Sequence, residues 1–250
     1  MHFNRKNISL KRVFDIIKSI LPDRFKTVLR NTHRNYVFGR AIKQFMNNPS
    51  AYSRSGNNIL GDLIYGWGNE DWSALGEYLA ACLNHAIKSN GPILECGSGL
   101  STILIGVIAT KRGIEHWALE HNREWAEKVR NNINKYKLKS VFLHECPLKD
   151  YGSFCWYDPP LESMPTFALI ICDGPPGETK GGRYGLVPIM LKKFQSGSVI
   201  LLDDAGREPE RLIATHWKNE LKASLEVLGS VKPYIRLVLN INGLYNNKFL

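Results

Sequence analysis

Short apolar runs alternate with amphipathic stretches along the chain from Pro92 onward. The runs are rich in Ile, Val and Leu, which predicts buried strands. They cover Ile93–Cys96, Trp117–Glu120, Val141–Glu145, Phe167–Asp173 and Val199–Asp203. The stretches between them have helical spacing and cover Leu100–Lys111, Arg123–Lys137 and Leu186–Phe194. Strands that alternate with helices in this way are typical of a parallel sheet covered on both faces.

The pattern changes after Asp204. Glu208–Leu221 has helical spacing, and two further apolar runs follow it, Leu225–Leu228 and Ile235–Ile241. We expect these two runs to close the sheet as a hairpin-like pair. The sequence therefore predicts an α/β fold with one doubly wound, mostly parallel sheet of about seven strands.

The first part of the chain has a helical pattern. Apolar residues line one face of a predicted helix from Leu10 to Leu21, and Pro22 interrupts it. A second helical stretch begins near Arg24, and the polar segment Asn47–Asn58 is typical of a linker. A third pattern over Asp71–Lys88 has Trp72, Leu75, Leu79 and Leu83 on one face. We divide the chain into a helical N-terminal extension, residues 1–60, and a main domain, residues 61–250.

The positive charge is confined to the extension. The chain carries a net charge of +10. Residues 1–45 hold 11 Lys and Arg against 2 acids, a net +9, and the remaining 22 bases face 21 acids. The nearly neutral main domain does not support binding to a polyanion, so a nucleic-acid partner is not expected. A basic helix with an apolar stripe fits three alternatives: an accessory helix packed on the domain, peripheral membrane contact through residues 8–30, or an organelle transit peptide.

Composition limits the remaining classes. A chain that is 44% hydrophobic and 22% charged has the balance of a globular protein. The five cysteines form no C-x-x-C pair, and no apolar run reaches the length of about 18–20 residues that a membrane span needs. We therefore expect a cytoplasmic protein with reduced thiols, membrane-associated if the basic helix binds a bilayer.

A Gly-x-Gly turn joins the first predicted strand to the following helix. The glycines of Glu95-Cys96-Gly97-Ser98-Gly99 permit a sharp turn and the close approach of a ligand to the backbone. Glu95 would repel a pyrophosphate but not a cationic amino-acid group. Glu120 ends the second strand, where a carboxylate accepts hydrogen bonds from a ribose. Thr102 replaces the third glycine of a dinucleotide site.

Glu95-x-Gly97-x-Gly99 together with Glu120 resembles the class I S-adenosylmethionine-dependent methyltransferases, and the resemblance extends over roughly Asp71–Ile241. It implies S-adenosylmethionine as cofactor, with its methionine part beside the glycines and its ribose on Glu120. The implied contacts are Trp67, Glu95, Gly97, Ser98, Gly99, Ser101, Thr102, Glu120, His121, Cys146, Pro147, Leu148 and Asp173, with Cys146 to Leu148 near the adenine. A dinucleotide site, or a tight turn without a ligand, is the alternative.

Three acids follow the predicted strands on the carboxyl edge of the sheet: Asp173, Asp203 and Asp204. They would repel one another unless a cation lies between them, and Mg²⁺ or another divalent cation prefers such oxygen ligands. The arrangement resembles the metal-dependent O-methyltransferases of the catechol and macrolide-sugar type. That resemblance implies that the three acids are metal ligands and catalytic residues. In the alternative, Asp203 orients the backbone and Asp204 caps the next helix.

The segment after Asp173 departs from that family. Gly174-Pro175-Pro176-Gly177 stands where a Lys or a second Asp would act as base, so the general base is unassigned. The segment is more similar to methyltransferase-like proteins with an Asp-Gly-Pro-Pro-Gly loop, a following Arg183-Tyr184 and a Leu201–Arg207 strand end. Gly174–Gly182 suits a mobile lid, and Arg183, Tyr184 and Arg207 are candidate substrate residues for an anionic acceptor. Solvated loop charges are the alternative.

We therefore expect an enzyme that methylates a hydroxyl of a small molecule or glycan; a homo-oligomer is compatible with the sequence. One alternative is an RNA or DNA methyltransferase. Tyr157-Asp158-Pro159-Pro160 resembles the Asp-Pro-Pro-Tyr motif of that class, but it precedes the fourth strand and Leu161 replaces the aromatic residue. Another alternative is a catalytically silent binding protein, against which the intact glycine turn and Glu120 argue.

Overall fold

The structure of the chain, a computed structural model, describes residues 22–68 and 76–240. Three predictions lie partly or wholly outside these residues. They are the apolar helical face at Leu10–Leu21, the start of the helix predicted at Asp71, and the end of the last strand at Ile241.

The described residues form a seven-stranded central sheet and a separate two-stranded hairpin. The strands are β1 (Ile93–Cys96), β2 (His116–Glu120), β3 (Val141–Glu145), β4 (Leu148–Asp150), β5 (Cys155–Tyr157), β6 (Phe167–Cys172), β7 (Phe194–Leu202), β8 (Ser224–Leu228) and β9 (Tyr234–Val238). The central sheet has the order β3-β2-β1-β6-β7-β9-β8, and β9 is antiparallel to both of its neighbours. This arrangement confirms the predicted doubly wound, mostly parallel seven-stranded sheet.

Helices cover both faces of the sheet. They are α1 (Asp23–Asn47), α2 (Pro49–Tyr52), α3 (Asn58–Trp67), α4 (Gly76–Lys88), α5 (Leu100–Arg112), α6 (Arg123–Lys135), α7 (Leu186–Met190) and α8 (Glu208–Glu220), with 3₁₀ turns at Leu161–Ser163 and Leu191–Lys193. Two hydrophobic clusters result, one centred on α4 and α5 and the other on Trp156 and Trp217. Because α5 lies inside the first cluster, nine of its residues are buried.

The register of the strands brings their carboxyl ends together. Cys96 of β1 pairs with Leu119 of β2 and Cys172 of β6, and Cys172 pairs with Leu202 of β7. The residues that follow these strands therefore lie along one edge of the sheet. The first three strands are added towards one edge of the sheet, and the later strands are added towards the other edge, starting with β6 beside β1. Ligands of open α/β sheets bind at such a change in strand order.

Two parts of the architecture differ from the sequence prediction. The polar segment predicted as a linker holds helix α2 and the start of α3, because Asn48 and Asn57 act as helix N-caps through their side-chain oxygens. The predicted domain boundary at residue 60 lies inside α3. The hairpin β4–β5 is also additional, and its strands of three residues are too short to show an alternating pattern.

Helix α1 has two different halves. Its C-terminal half packs on α3 and is buried at Val37, Phe38, Ala41, Ile42 and Phe45. Its N-terminal half exposes Phe25, Val28 and Leu29. Over the residues that the structure describes, none of the helices combines the length and the hydropathy required to cross a bilayer.

The contact between α1 and α3 depends on a glycine. A Cβ at Gly66 would lie 2.7 Å from Cβ and 2.9 Å from Cα of Phe38, whereas a Cβ at Gly61, in the same helix, would meet nothing within 4 Å. We expect Gly66→Ala to lower the free energy of unfolding by about 1–3 kcal/mol through overpacking. The control Gly61→Ala should raise it by about 0.5–1 kcal/mol through helix propensity. Urea unfolding measures both, and equal effects would contradict this packing.

Candidate functional site

A cavity of about 570 Å³ opens at the carboxyl edge of the sheet, beside β1, β2, β6 and β7. Its size is that of a site for a small ligand. Most residues predicted for the site line it: Trp67, Glu95, Gly97, Ser98, Gly99, Ser101, Glu120, His121, Asp173, Arg183, Asp203, Asp204 and Arg207. Residues that sequence reasoning missed line it too, among them Asn122, Trp125, Tyr157 and Lys232.

The glycine turn after β1 forms one wall of the cavity. Gly97 has a φ of 90°, a left-handed conformation that favours glycine. A Cβ at Gly97 would lie 3.4 Å from the backbone nitrogen of Gly174, because the turns after β1 and β6 are in contact. The Gly99 N–H donates to the hydroxyl of Thr102 over 2.8 Å. Thr102 therefore braces the turn and does not line the cavity.

Glu120, at the end of β2, binds this turn. One carboxylate oxygen accepts hydrogen bonds from the backbone N–H and the hydroxyl of Ser98, over 3.0 and 2.8 Å, and the other accepts the N–H of Asn122. Burial would raise the pKa of Glu120. The nearby His121, with Nδ1 at 3.2 Å, and the hydrogen bonds from Asn122 and Ser98 outweigh burial and lower its pKa, so the carboxylate is ionised at neutral pH.

Glu95 is held by partners on both sides. One oxygen accepts the Ser101 hydroxyl, and the other lies 2.9 Å from Nε2 of His116, a fully buried side chain. His116 lies at the start of β2 and belongs to no sequence motif. Its contact with Glu95 could therefore not be predicted from the sequence. Glu95 thus has a fixed orientation beside the cavity.

An aromatic wall faces the glycine turn. The rings of Trp67 and Trp125 meet edge to face with centroids 6.2 Å apart, and Nζ of Lys128 lies over both rings. The Trp125 indole donates to the carbonyl of Ser98 over 2.7 Å, which links the wall to the turn. Trp125 follows the N-cap Asn122 of α6 by three residues, and this start of a helix is the only sequence signal that pointed to it.

The three predicted acids meet in the cavity as an acidic cluster, Asp173, Asp203 and Asp204. One carboxylate oxygen of each lies within 4.8 Å of the others. Asp204 has a φ of 62°, unusual for a residue with a side chain. Its carboxylate binds charged side chains and does not cap α8, which starts after Arg207 without a side-chain cap.

Arg183 is a cationic partner of this cluster. Its guanidinium nitrogens lie 3.3 Å from Asp173 Oδ1 and 2.9 Å from Asp204 Oδ2, and they donate to the carbonyls of Asp173 and Asp203. The residue is 2% exposed. These contacts direct Arg183 to the protein's own carboxylates and carbonyls, and the residue lines the cavity.

Lys232 and Arg207 are the other two cations. Nζ of Lys232 lies 2.7 Å from Asp203 Oδ2 and 2.8 Å from Asp204 Oδ1, and Arg207 lies 3.2 Å from Asp204 Oδ2. Lys232 comes from the loop between β8 and β9, which no motif marks.

The ionisation of the cluster follows from burial and these partners. Burial raises the pKa of Asp173 to about 7, although Arg183 opposes the rise. Burial would also raise the pKa of Asp204, but Lys232, Arg183 and Arg207 outweigh it and lower the pKa. Asp203 and Asp204 in turn raise the pKa of Lys232 against the effect of burial. The lysine is therefore charged at neutral pH.

Four other predicted residues do not line the cavity, although the structure describes them: Cys146, Pro147, Leu148 and Tyr184. Cys146 is buried, and its backbone N–H donates to the backbone carbonyl of Glu120, which extends the pairing of β3 with β2. Leu148 begins the hairpin. Tyr184 packs on Phe154 and His216. The short hairpin, which the sequence pattern did not predict, begins at Leu148 and continues to Tyr157.

Asp158 follows the second hairpin strand and pairs with Lys149 at the surface. Tyr157 is buried, and a Cβ at Gly174 would collide with its hydroxyl. The Tyr157-Asp158-Pro159-Pro160 segment therefore does not end the strand that bears Asp173. This position differs from that of the nucleic-acid methyltransferase motif that the segment resembles.

No protein-family model matches the chain, and no curated protein matches it. Solved structures do. The chain superposes on a candidate caffeoyl-CoA O-methyltransferase from Staphylococcus aureus with a TM-score of 0.54 at 13% identity, over 79% of this chain and 99% of that one. It superposes on an O-methyltransferase from Bacillus cereus in complex with SAH with a TM-score of 0.50 at 17% identity, over 72% and 90%. A methyltransferase from Geobacter sulfurreducens gives 0.50 at 12% identity, over 93% and 97%.

The chain has the class I methyltransferase fold. At these identities the similarity establishes the fold alone. In this methyltransferase fold the cavity lies at the point where the sheet changes direction, and the glycine turn, Glu95 and Glu120 meet there.

The acidic cluster does not fit a divalent cation as it stands. The separation of its oxygens is compatible with an oxygen-ligated ion. However, Nζ of Lys232 already bridges Asp203 and Asp204, and Arg183 contacts Asp173 and Asp204. A divalent ion would have to displace Lys232 from this position, because two cations repel each other strongly at such distances.

Replacing Arg183 tests its role in the cluster. We expect Arg183→Met to lower the free energy of unfolding by about 3–5 kcal/mol, since it leaves buried carboxylates without a partner. The control Arg211→Met removes an exposed arginine from α8 and should change stability little. Urea unfolding at neutral pH compares them. An Arg183→Met protein as stable as the control would show that the cluster does not depend on this arginine.

Proposed function

We propose that the protein is an S-adenosylmethionine-dependent methyltransferase that methylates an oxygen of a small molecule or glycan. The observation that carries the proposal is the arrangement of Glu95, the glycine turn and Glu120 on one side of a cavity whose other side holds the acidic cluster. Named O-methyltransferases among the structures with this fold support the oxygen as target.

The residues present fit the cofactor. The Gly97–Gly99 backbone leaves room for the methionine part, and Glu95, fixed by Ser101 and His116, offers a carboxylate to its ammonium group. Glu120 is ionised and buried at the end of β2, where it suits two ribose hydroxyls. In the described state its oxygens bind Ser98 and Asn122, so ribose would share the carboxylate with these donors. The aromatic wall of Trp67 and Trp125 encloses the same side.

The two sides of the cavity, one with the glycine turn and Glu120 and the other with the acidic cluster, suit a methyl transfer between a cofactor and an acceptor. The cofactor, when bound, supplies a methyl group on a positively charged sulfur. The chain's part is to hold the acceptor oxygen in line with that methyl, and such positioning supplies much of the rate. Asp203, Asp204 and Lys232 offer polar contacts to the acceptor side. The general base stays unassigned.

Cofactor binding gives a direct test. We expect Gly97→Ala to weaken S-adenosylmethionine binding, because the side chain strains a left-handed residue by about 1–2 kcal/mol and narrows the turn. Glu120→Gln should weaken it about 10- to 100-fold through loss of a charged hydrogen-bond acceptor. Isothermal titration calorimetry measures both.

Gly152→Ala is a matched control for backbone strain. Gly152 also has a φ of 90°, but a Cβ there would meet nothing within 4 Å and the residue lies on the hairpin. It should bind the cofactor as the unmodified chain does. Normal binding by both Gly97→Ala and Glu120→Gln would refute the assigned cofactor site.

The sequence predicts a divalent cation at the acidic cluster, whereas the structure offers positive side chains as the source of charge there. The repulsion that suggested an ion is balanced by three cationic side chains, Arg183, Arg207 and Lys232. The proposed function therefore does not require a metal.

We also propose that the N-terminal half of α1 contacts an anionic membrane surface. Phe25, Val28 and Leu29 are exposed and lie at helical spacing on one face, opposite the buried residues of the C-terminal half. Cζ of Arg24 lies 5.2 Å from the centroid of the Phe25 ring, and Arg30 lies in the same half of the helix. An exposed apolar face beside basic side chains is typical of interfacial helices.

Vesicle flotation tests the membrane contact. The full chain should float with vesicles that contain phosphatidylserine, and the double variant Val28→Glu/Leu29→Glu should bind at least about tenfold more weakly. Leu212→Glu is a matched control, because Leu212 is equally exposed on α8. Equal flotation of the three proteins, or no binding to the anionic vesicles, would contradict the proposal and leave packing as the role of α1.

A further inference from the structure

We propose that Lys232 is a built-in cation of the acidic cluster and takes the place of a divalent metal between Asp203 and Asp204. The inference concerns charge and occupancy and stands apart from methyl transfer. Only its consequence for turnover rests on the proposed function.

The position of Nζ is the first argument. It lies within hydrogen-bond distance of one oxygen of Asp203 and one oxygen of Asp204, at 2.7 and 2.8 Å. These two carboxylates follow β7 directly and belong to the set that would ligate an ion. A metal bound to the same two oxygens would come within van der Waals contact of the ammonium group, and their charges exclude joint occupancy.

The charge balance of the cluster is the second argument. Three cationic side chains already contact the cluster, because Arg183 and Arg207 supply positive charge besides Lys232, and Arg207 also lies 3.8 Å from Glu210. A divalent ion added to this set would leave the buried site with excess positive charge, which is costly away from water. Removal of Lys232 alone takes away the cation that bridges Asp203 and Asp204 and leaves their oxygens open to a metal.

The loop that carries Lys232 is the third argument, because it is fixed at both ends. Glu77, in the first turn of α4, accepts the backbone N–H groups of Ser230 and Val231 over 2.8 and 2.9 Å. On the other side of Lys232, the carbonyl of Pro233 accepts the N–H of Ala205 over 2.9 Å. The lysine is thus tied to the start of α4 and to the residue that follows Asp204. This anchoring fixes the loop backbone beside the cluster and so lowers the entropic cost of placing Nζ between the two carboxylates.

The acidic cluster also retains one free acceptor. Asp203 Oδ1 is buried without a hydrogen-bond partner among the described residues. It is a single oxygen on one side of a carboxylate whose other oxygen is taken by Lys232, so it offers a metal one ligand at most. With Lys232 absent, both oxygens of Asp203 and one of Asp204 become available together.

Manganese titration of the chelator-treated full chain tests the proposal, with the electron paramagnetic resonance signal of free Mn²⁺ as readout. The unmodified protein should not bind Mn²⁺ at the cluster at millimolar concentration. Lys232→Met should gain one site, which Lys232→Met/Asp203→Asn loses again. Lys180→Met is the matched control, because Lys180 pairs with Asp150 on the surface and should gain no site.

Thermal unfolding provides a second readout. Mn²⁺ should raise the melting temperature of Lys232→Met and not that of the unmodified chain or of Lys232→Arg, which keeps the charge. If Lys232→Met does not fold, Lys232→Gln takes its place, since the amide preserves volume and polarity. The proposal would be overturned if Lys232→Met and Lys232→Gln both fold and Mn²⁺ neither binds to them nor raises their melting temperatures.

The unmodified chain alone also decides the question. A stoichiometric Mn²⁺ site in it that Asp203→Asn abolishes would show that the metal, and not Lys232, fills the cluster. If the proposed methyl transfer is found, chelators should leave its rate unchanged. Loss of activity on chelation with no Mn²⁺ site at the cluster would leave this inference intact and place a metal elsewhere.

Discussion

The carboxyl edge of the sheet depends on the interaction between the buried guanidinium of Arg183 and the acids that follow β6 and β7. Parallel strands β6 and β7 end in acids at neighbouring positions, and those acids repel one another in a poorly solvated site. Arg183 reaches both strand ends, with bonds to the side chains of Asp173 and Asp204 and to the carbonyls of Asp173 and Asp203. The cavity opens on these residues, so its shape depends on this neutralisation as much as on the glycine turn opposite.

Much of this edge follows from the sequence alone. Buried parallel strands are continuous apolar runs, which made their ends visible, and parallel ends share one edge, which brought the glycine turn, Glu120 and the acids together. The partners of the acids were not predictable in the same way. Lys232 reaches the cluster only because β9 inserts antiparallel beside β7, a long-range pairing that no local pattern encodes. The sequence thus predicted that the three acids need a positive charge between them. It did not predict which residues supply that charge.

The other differences have local causes. Asn48 and Asn57 are typical of loops, yet in this chain their oxygens cap helices, since the same side-chain chemistry serves both purposes. The hairpin β4–β5 consists of strands too short for a period-two pattern, and it begins at Leu148, directly after the residues that the resemblance placed near the adenine. His116 and Trp125 are ordinary residues of a strand and a helix until the fold brings them to Glu95 and Ser98.

The aromatic wall has an optical consequence. Trp67 and Trp125 line the cavity in mutual contact, under the ammonium group of Lys128, and the indole of Trp125 is tied to the glycine turn. Indole emission responds to the polarity and charge of its surroundings, so a molecule that enters the cavity changes the environment of both fluorophores at once. The chain carries an intrinsic optical reporter of occupancy, which allows ligands to be screened without a label and before any acceptor is known.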